Sequence, residues 1–304
     1  MSLRTILLNA TLRWQQHEAM RLSPAERLAR NRELLAVDHS KVPATVAVER
    51  SQLGGVPLEW VIPKALAQGS NTADVPVCLY FHGGGFAMGS PQSHRDMASY
   101  LALKAGLRMA MIDYRLAPEH PFPAALDDGL AVYRALAQTP AMAGRLAVGG
   151  DSAGGNLALA VLQQARDEGL AVARAMFFFS PWLDLHNQSA SMQRNAPLDV
   201  FLNQQILDEC RAWYAGGHPL ADPRVSPLGG DVSRLPPCFL VASACEVLLD
   251  DALGLRAQLE AAGIGCTWRL HPSLPHAYPA LARLLPEART TLKEVATFLQ
   301  HQLA

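Results

Sequence analysis

The sequence predicts an α/β fold built on a mostly parallel sheet. Three observations carry this. From about residue 43, short β-type runs alternate with stretches of helical spacing, the order that strand–helix–strand units produce. Several of the runs, VPVCLYF at 75–81 and AMFFFS at 175–180 among them, are apolar throughout, as strands are when both faces of a sheet are covered. The chain has 304 residues, 50% of them hydrophobic, which suffices to bury a large core.

The elements follow in order. The N-terminal stretch MSLRTILLNATLRWQQHEAM has a short apolar patch with a polar break and no small-residue cleavage site after it. It reads as an amphipathic helix rather than a signal peptide. LSPAERLARNRELLA reads as a second helix, with Ser23 as N-cap and Pro24 at its first position. The strand candidates are then TVAVER, LEWVIP, VPVCLYF, LRMAMIDY, RLAVGG, AMFFFS, CFLVASA and CTWRLH. The later ones are interleaved with helical runs: RDMASYLALKAG, AALDDGLAVYRALAQ, GGNLALAVLQQARDEG, DDALGLRAQLEAAG and PEARTTLKEVATFLQHQ. The stretch 183–231 breaks the alternation, with one helical run, NQQILDECRAWYAGG, among many turn residues. Open α/β sheets bind ligands beyond the carboxyl ends of their strands. Residues 1–42 and 183–231 are therefore expected to form a helical cap there, over a catalytic domain of 43–182 and 232–304. The other reading is that they only cover the sheet edge and core.

Composition narrows the function. The formal net charge is −1 and no basic stripe or long charge block occurs, so nucleic acid and anionic membrane are poor electrostatic partners. No uncharged apolar stretch approaches membrane-spanning length. The five cysteines are scattered, with no CxxC and no Cys/His metal spacing. They read as free thiols of a cytoplasmic protein, and no metal or cofactor is expected.

The chemistry centres on Gly150-Asp151-Ser152-Ala153-Gly154, between the run RLAVGG and a helical one. This is the G-x-S-x-G pattern of a nucleophile elbow, where glycines permit a sharp strand-to-helix turn that exposes the serine. A helix N-cap is the plainer reading of the pentapeptide. The segment FHGGGFA at 81–87 follows another apolar run and matches the HGGG loop that supplies oxyanion donors beside such an elbow. The expected donors are the N–H groups of Gly83, Gly84 and Ala153, with His82 orienting the loop. In this arrangement the acid and then the histidine follow the serine along the chain. His276 lies in the loop SLPHAYPAL after CTWRLH and is the expected base, ahead of His271 and His301. Glu246 directly follows CFLVASA and is the expected acid. Asp250 and Asp251 come a turn later, where carboxylates serve as ordinary helix-dipole partners; Asp250 is the alternative acid. Phe86, Leu183 and Phe201 are the expected pocket residues, with Trp182, Trp213 and Tyr214 nearby.

Taken together, FHGGGF at 81–86, DYRLAPEHPFPAALDD at 113–128, GDSAGGNLA at 150–158, SPWLDL at 180–185 and DPRVSPL at 222–228 resemble the hormone-sensitive-lipase-like branch of the α/β hydrolases, the bacterial family IV esterases. The resemblance runs from about residue 75 to the end. It implies an α/β hydrolase fold with an eight-stranded, mostly parallel sheet, a helical cap, a Ser-acid-His triad, no cofactor, and hydrolysis of short- to medium-chain carboxylic esters. The family's usual Asp-Pro-Leu at the acid is here Glu246-Val247-Leu248, and its His-Gly-Phe is His276-Ala277-Tyr278. Glutamate is an accepted triad acid. Amide or deacetylase chemistry on a small acylated metabolite is the alternative with the same residues. A non-catalytic receptor on this fold would have lost the histidine. A homodimer through an edge strand such as CTWRLH is expected by analogy to the family.

Overall fold

The computed structural model describes residues 3–36, 40–67, 75–142 and 144–304. Two helices come first, α1 (Leu3–Ala19) and α2 (Pro24–Ala36). Ser23 caps α2 reciprocally: Glu26 N donates to Ser23 Oγ, and Ser23 N and Oγ both donate to the Glu26 carboxylate. β1 (Val46–Leu53) and β2 (Val56–Pro63) form an antiparallel hairpin. They are longer than the runs TVAVER and LEWVIP because Gly54 and Gly55, at φ 59° and 80°, close a tight turn that keeps the two strands paired to its base.

The rest alternates as expected. After the short α3 (Lys64–Ala67) come β3 (Val77–Phe81), α4 (Arg95–Ala105), β4 (Arg108–Ile112), α5 (Ala124–Ala137), β5 (Leu146–Asp151), α6 (Ala153–Asp167) and β6 (Ala175–Phe179). The insertion carries α7 (Ala190–Arg194) and α8 (Gln204–Ala215), followed by β7 (Cys238–Ser243), α9 (Leu249–Ala261), β8 (Cys266–His271) and α10 (Pro286–Leu303). The eight strands make one sheet in the order β1-β2-β4-β3-β5-β6-β7-β8. β1 and β2 are antiparallel to their neighbours, and the ladders from β4 to β8 are parallel.

Successive side chains of a strand point to opposite faces, and here both faces are buried. In β3, Val77, Leu79 and Phe81 join one core with residues of α5, α6 and α9; Cys78 and Tyr80 join the other with residues of α4 and α10. That is why the strand reads as an unbroken apolar run. The order also fixes where a site can lie. From β3 the chain moves outward to β4, then returns to place β5 on the other side of β3. Ligands bind in the crevice at such a switch point, beyond the carboxyl ends of the strands. The FHGGGFA loop leaves β3 there, and the Ser152 turn leaves β5. No helix among the described residues is long and apolar enough to cross a membrane.

Candidate active site

Ser152 stands between the end of β5 and the start of α6 with φ 53° and ψ −122°. A non-glycine residue in this region carries strain on the order of 1–3 kcal/mol. The flanking glycines are required by close approach. A Cβ on Gly150 would sit 2.4 Å from Gly154 O, and one on Gly154 would sit 2.1 Å from Phe81 O. The turn is tied to β6: Ser152 N donates to Phe179 O, and Trp182 N donates to Ser152 O, both at 3.0 Å. Phe86, Ser180 and Ala277 also adopt positive φ, at 61°, 48° and 49°. Four of the six non-glycine residues with positive φ among the described residues therefore lie at this end of the sheet.

Glu246 and His276 are brought together from the loops after β7 and β8. His276 Nδ1 lies 2.7 Å from Glu246 Oε2, and both side chains are buried. Glu246 Oε1 accepts from Ser243 N at 2.6 Å and from Ser180 Oγ at 2.7 Å. Ser180 Oγ in turn accepts from Ala277 N at 3.1 Å. One carboxylate oxygen is thus held by two donors, and the other is directed at the imidazole. His276 Nε2 is buried with no hydrogen-bond partner among the described residues. Burial pushes this imidazole down, but the Glu246 hydrogen bond, with the charges of Glu246, Asp199 and Asp151, outweighs it and raises it above its ordinary value. The arrangement equips His276 to accept a proton at Nε2 while Glu246 fixes the tautomer.

The glycine loop departs from expectation at one residue. Gly83 N donates to Asp151 Oδ1 at 2.9 Å, so this N–H is engaged within the protein and is not a free donor. Asp151 also accepts from Tyr80 Oη at 2.8 Å and lies 3.1 Å from His94 Nε2. Burial opposes its charge, yet His94 and Tyr80 hold its carboxyl below the usual range. His82 stacks on Tyr114 with ring centroids 4.3 Å apart. Burial and the neighbouring His94 push His82 down to about 4, so it stays neutral, with its Nδ1 2.8 Å from Gly83 O.

The family model described as the alpha/beta hydrolase fold matches residues 78–280. An acetyl-hydrolase of Streptomyces hygroscopicus is 36% identical over 248 residues, 82% of this chain and 81% of its own. The carboxylesterase NlhH of Mycobacterium tuberculosis is 34% identical over 226 residues, 71% and 70% of the two chains. A solved esterase of the bacterial hormone-sensitive lipase family superposes with TM-score 0.89 at 33% identity, over 100% of this chain and 99% of its own. The chain belongs to this hormone-sensitive-lipase-like esterase family.

Two of the expected pocket residues of this family member do not line an open wall. Phe86 and Leu183 have no accessible surface. Phe86 stacks on Tyr214 at 3.7 Å and packs beside Trp182, while Leu183 N donates to Asp251. Both belong to the core beneath the site. Phe201 differs: it is 43% exposed, and its ring lies 5.9 Å from that of His276. Asp250, the alternative acid, accepts from Ser191 N at 2.7 Å and from Arg194, so α7 occupies it. Asp251, pushed up to about 7 by burial, accepts from Leu183 N and Asp184 N. Arg115 is engaged with Asp128, and Glu119 with Arg32. Sequence reasoning missed Asp199 and Asn195, which hold the loop of Glu246, and Ser180. Only the position of Ser180 at the end of an apolar strand signalled it. No group of three or more His, Cys, Asp or Glu side chains suited to a metal occurs among the described residues.

Proposed function

We propose that the protein hydrolyses short- to medium-chain carboxylic esters through an acyl-enzyme on Ser152. The observation that carries this is the His276–Glu246 pair at 2.7 Å, with a buried and unpartnered Nε2, at the sheet end that carries the strained Ser152 turn. Ser152 Oγ attacks the ester carbonyl as His276 takes its proton, and Glu246 stabilises the imidazolium. The N–H groups of Gly84, Gly85 and Ala153 are the oxyanion donors, with Gly83 replaced in that role because Asp151 engages it. Loss of one such donor costs on the order of 10²–10³ in rate. His276 then protonates the leaving alcohol, and water cleaves the acyl-enzyme by the reverse path.

The half-exposed Phe201 beside His276 is the pocket residue of this reading. An acetyl ester is favoured within the class by the acetyl-hydrolase relative. The retained His276 and Glu246 oppose a receptor role. The described residues of 1–42, together with 183–231, form the cap: Arg27 of α2 pairs with Glu209 of α8 at 2.9 Å, and Arg32 of α2 donates to Ala87 O beside the glycine loop. The protein acts in the cytoplasm and dimerises through the edge strand β8, whose Leu270 is exposed. The test is hydrolysis of p-nitrophenyl esters from acetate to palmitate. Activity peaking at short chains and absent in Ser152→Ala supports the proposal. A folded protein that cleaves acyl amides but no ester supports the amidase alternative instead.

A further inference from the structure

The insertion between β6 and β7 is fastened to the backbone of the loop that carries Glu246. Asn195 Nδ2 donates to Ala244 O at 3.0 Å and to Glu246 O at 2.7 Å. Ser191 Oγ donates to Val247 O at 2.7 Å. Asp199 joins the two segments most directly. Its Oδ2 accepts from Val247 N at 2.9 Å, while its Oδ1 accepts from Phe201 N and Leu202 N, each at 2.9 Å. The side chain is buried, so one carboxylate links the acid's loop to the segment that places Phe201 beside His276.

We propose that Asp199 is a positioning residue for hydrolysis, fixing the Glu246 loop against the segment of the insertion that places Phe201 beside His276. This rests on the esterase reading above. Two physical reasons support it. Glutamate has one more rotatable bond than aspartate, so directing Oε2 at His276 needs a loop fixed at the backbone as well as donors on Oε1. The Asp199 bond also depends on an N–H at position 247, which proline would lack. Val247, standing in place of the family's usual proline, makes this coupling available. The carboxylates that act on His276 are Glu246, Asp199 and Asp151. The first touches it directly, and the last is engaged by Gly83, Tyr80 and His94.

The test measures kcat, KM and the pH profile of kcat/KM on p-nitrophenyl butyrate for wild type, Asp199→Asn and Val247→Pro, with thermal melts of each. In Asp199→Asn the acidic midpoint falls, because a charge favouring the imidazolium is gone. Its kcat falls about tenfold, as a small misplacement of a catalytic group produces, with KM little changed. Val247→Pro keeps the charge and loses the bond, so kcat falls while the midpoint stays. If Asp199→Asn does not fold, a wild-type kcat in Val247→Pro overturns the positioning role. A folded Asp199→Asn with wild-type kcat and midpoint overturns the whole proposal. Labelling of wild-type Ser152 by an organophosphate ester is run in parallel. Labelled enzyme with unaltered Asp199→Asn kinetics condemns only the Asp199 role, whereas unlabelled wild type without esterase activity condemns the reading beneath it.

Discussion

Replacing Glu246 by glutamine changes the site more than the loss of one charge would. Ser243 N and Ser180 Oγ both donate to Glu246 Oε1, at 2.6 and 2.7 Å. In Glu246→Gln those donors select the amide oxygen for that position, which turns the amide NH2 toward His276 Nδ1. The imidazole must then accept at Nδ1 and carry its proton on Nε2, where it cannot act as a base. The charge loss alone removes about 4 kcal/mol of imidazolium stabilisation, for charges about 4 Å apart at an effective dielectric near 20. That corresponds to about 10³ in rate. The wrong tautomer carries the loss toward the order of 10⁴, the size of the corresponding Asp→Asn effect in serine proteases. Glu246→Ala leaves His276 free to take either tautomer, so Glu246→Gln is expected to be at least as impaired. The acidic midpoint of the wild-type profile is expected above the ordinary imidazole value of 6.5, because the pair raises His276 and the base must be neutral. Activity is therefore lost as pH falls through that midpoint, and raising the pH does not rescue Glu246→Gln. The assay is p-nitrophenyl butyrate hydrolysis across pH, with circular dichroism to confirm folding. Glu246→Gln within tenfold of wild type, or far more active than Glu246→Ala, would refute the reasoning.

Three further outcomes follow from the same bonds. Ser180→Ala leaves Ala277 N without its acceptor and Glu246 Oε1 with one donor; a stability loss of about 1–3 kcal/mol should appear in denaturant melts, with lowered kcat. Asp250→Ala removes a partner of Ser191 N and Arg194 but touches neither His276 nor Glu246, so kcat/KM should stay within a few-fold of wild type while the melt shifts down. Arg27 is buried and pairs with Glu209 in two hydrogen bonds, while also donating to Ala19 O. Breaking such a pair costs about 3–5 kcal/mol, so limited proteolysis of Arg27→Ala should cut first within α1 and α2 if these helices are a separate cap.

The sheet was legible because its central strands β3, β5, β6 and β7 are apolar runs that burial explains. Both faces of β3 and β6 are covered, so an apolar run could mean little else between turn signals. The positions of Ser152, Glu246 and His276 were readable for a related reason, since each follows a strand at the carboxyl end of the sheet. The hairpin ends of β1 and β2 were not read, although Gly54-Gly55 marks them. The engagement of Gly83 N could not be read because consecutive glycines look alike in sequence, and only the approach of Asp151 separates this N–H from its neighbours. Phe86 and Leu183 adjoin motifs along the chain, but side-chain direction decides whether a residue faces a pocket or a core. Asp199 was invisible because its partners, Val247, Phe201 and Leu202, are backbone groups. Backbone acceptance leaves no pattern in residue type.

The most direct test is the mass of the protein caught during turnover. Incubation with p-nitrophenyl butyrate, acid quench and intact-mass analysis should give one butyryl adduct, mapped by peptide digestion to Ser152 and absent from Ser152→Ala. The adduct should also form far more slowly in a His276→Ala variant. An adduct on another residue, or continued ester hydrolysis by Ser152→Ala, would contradict the account.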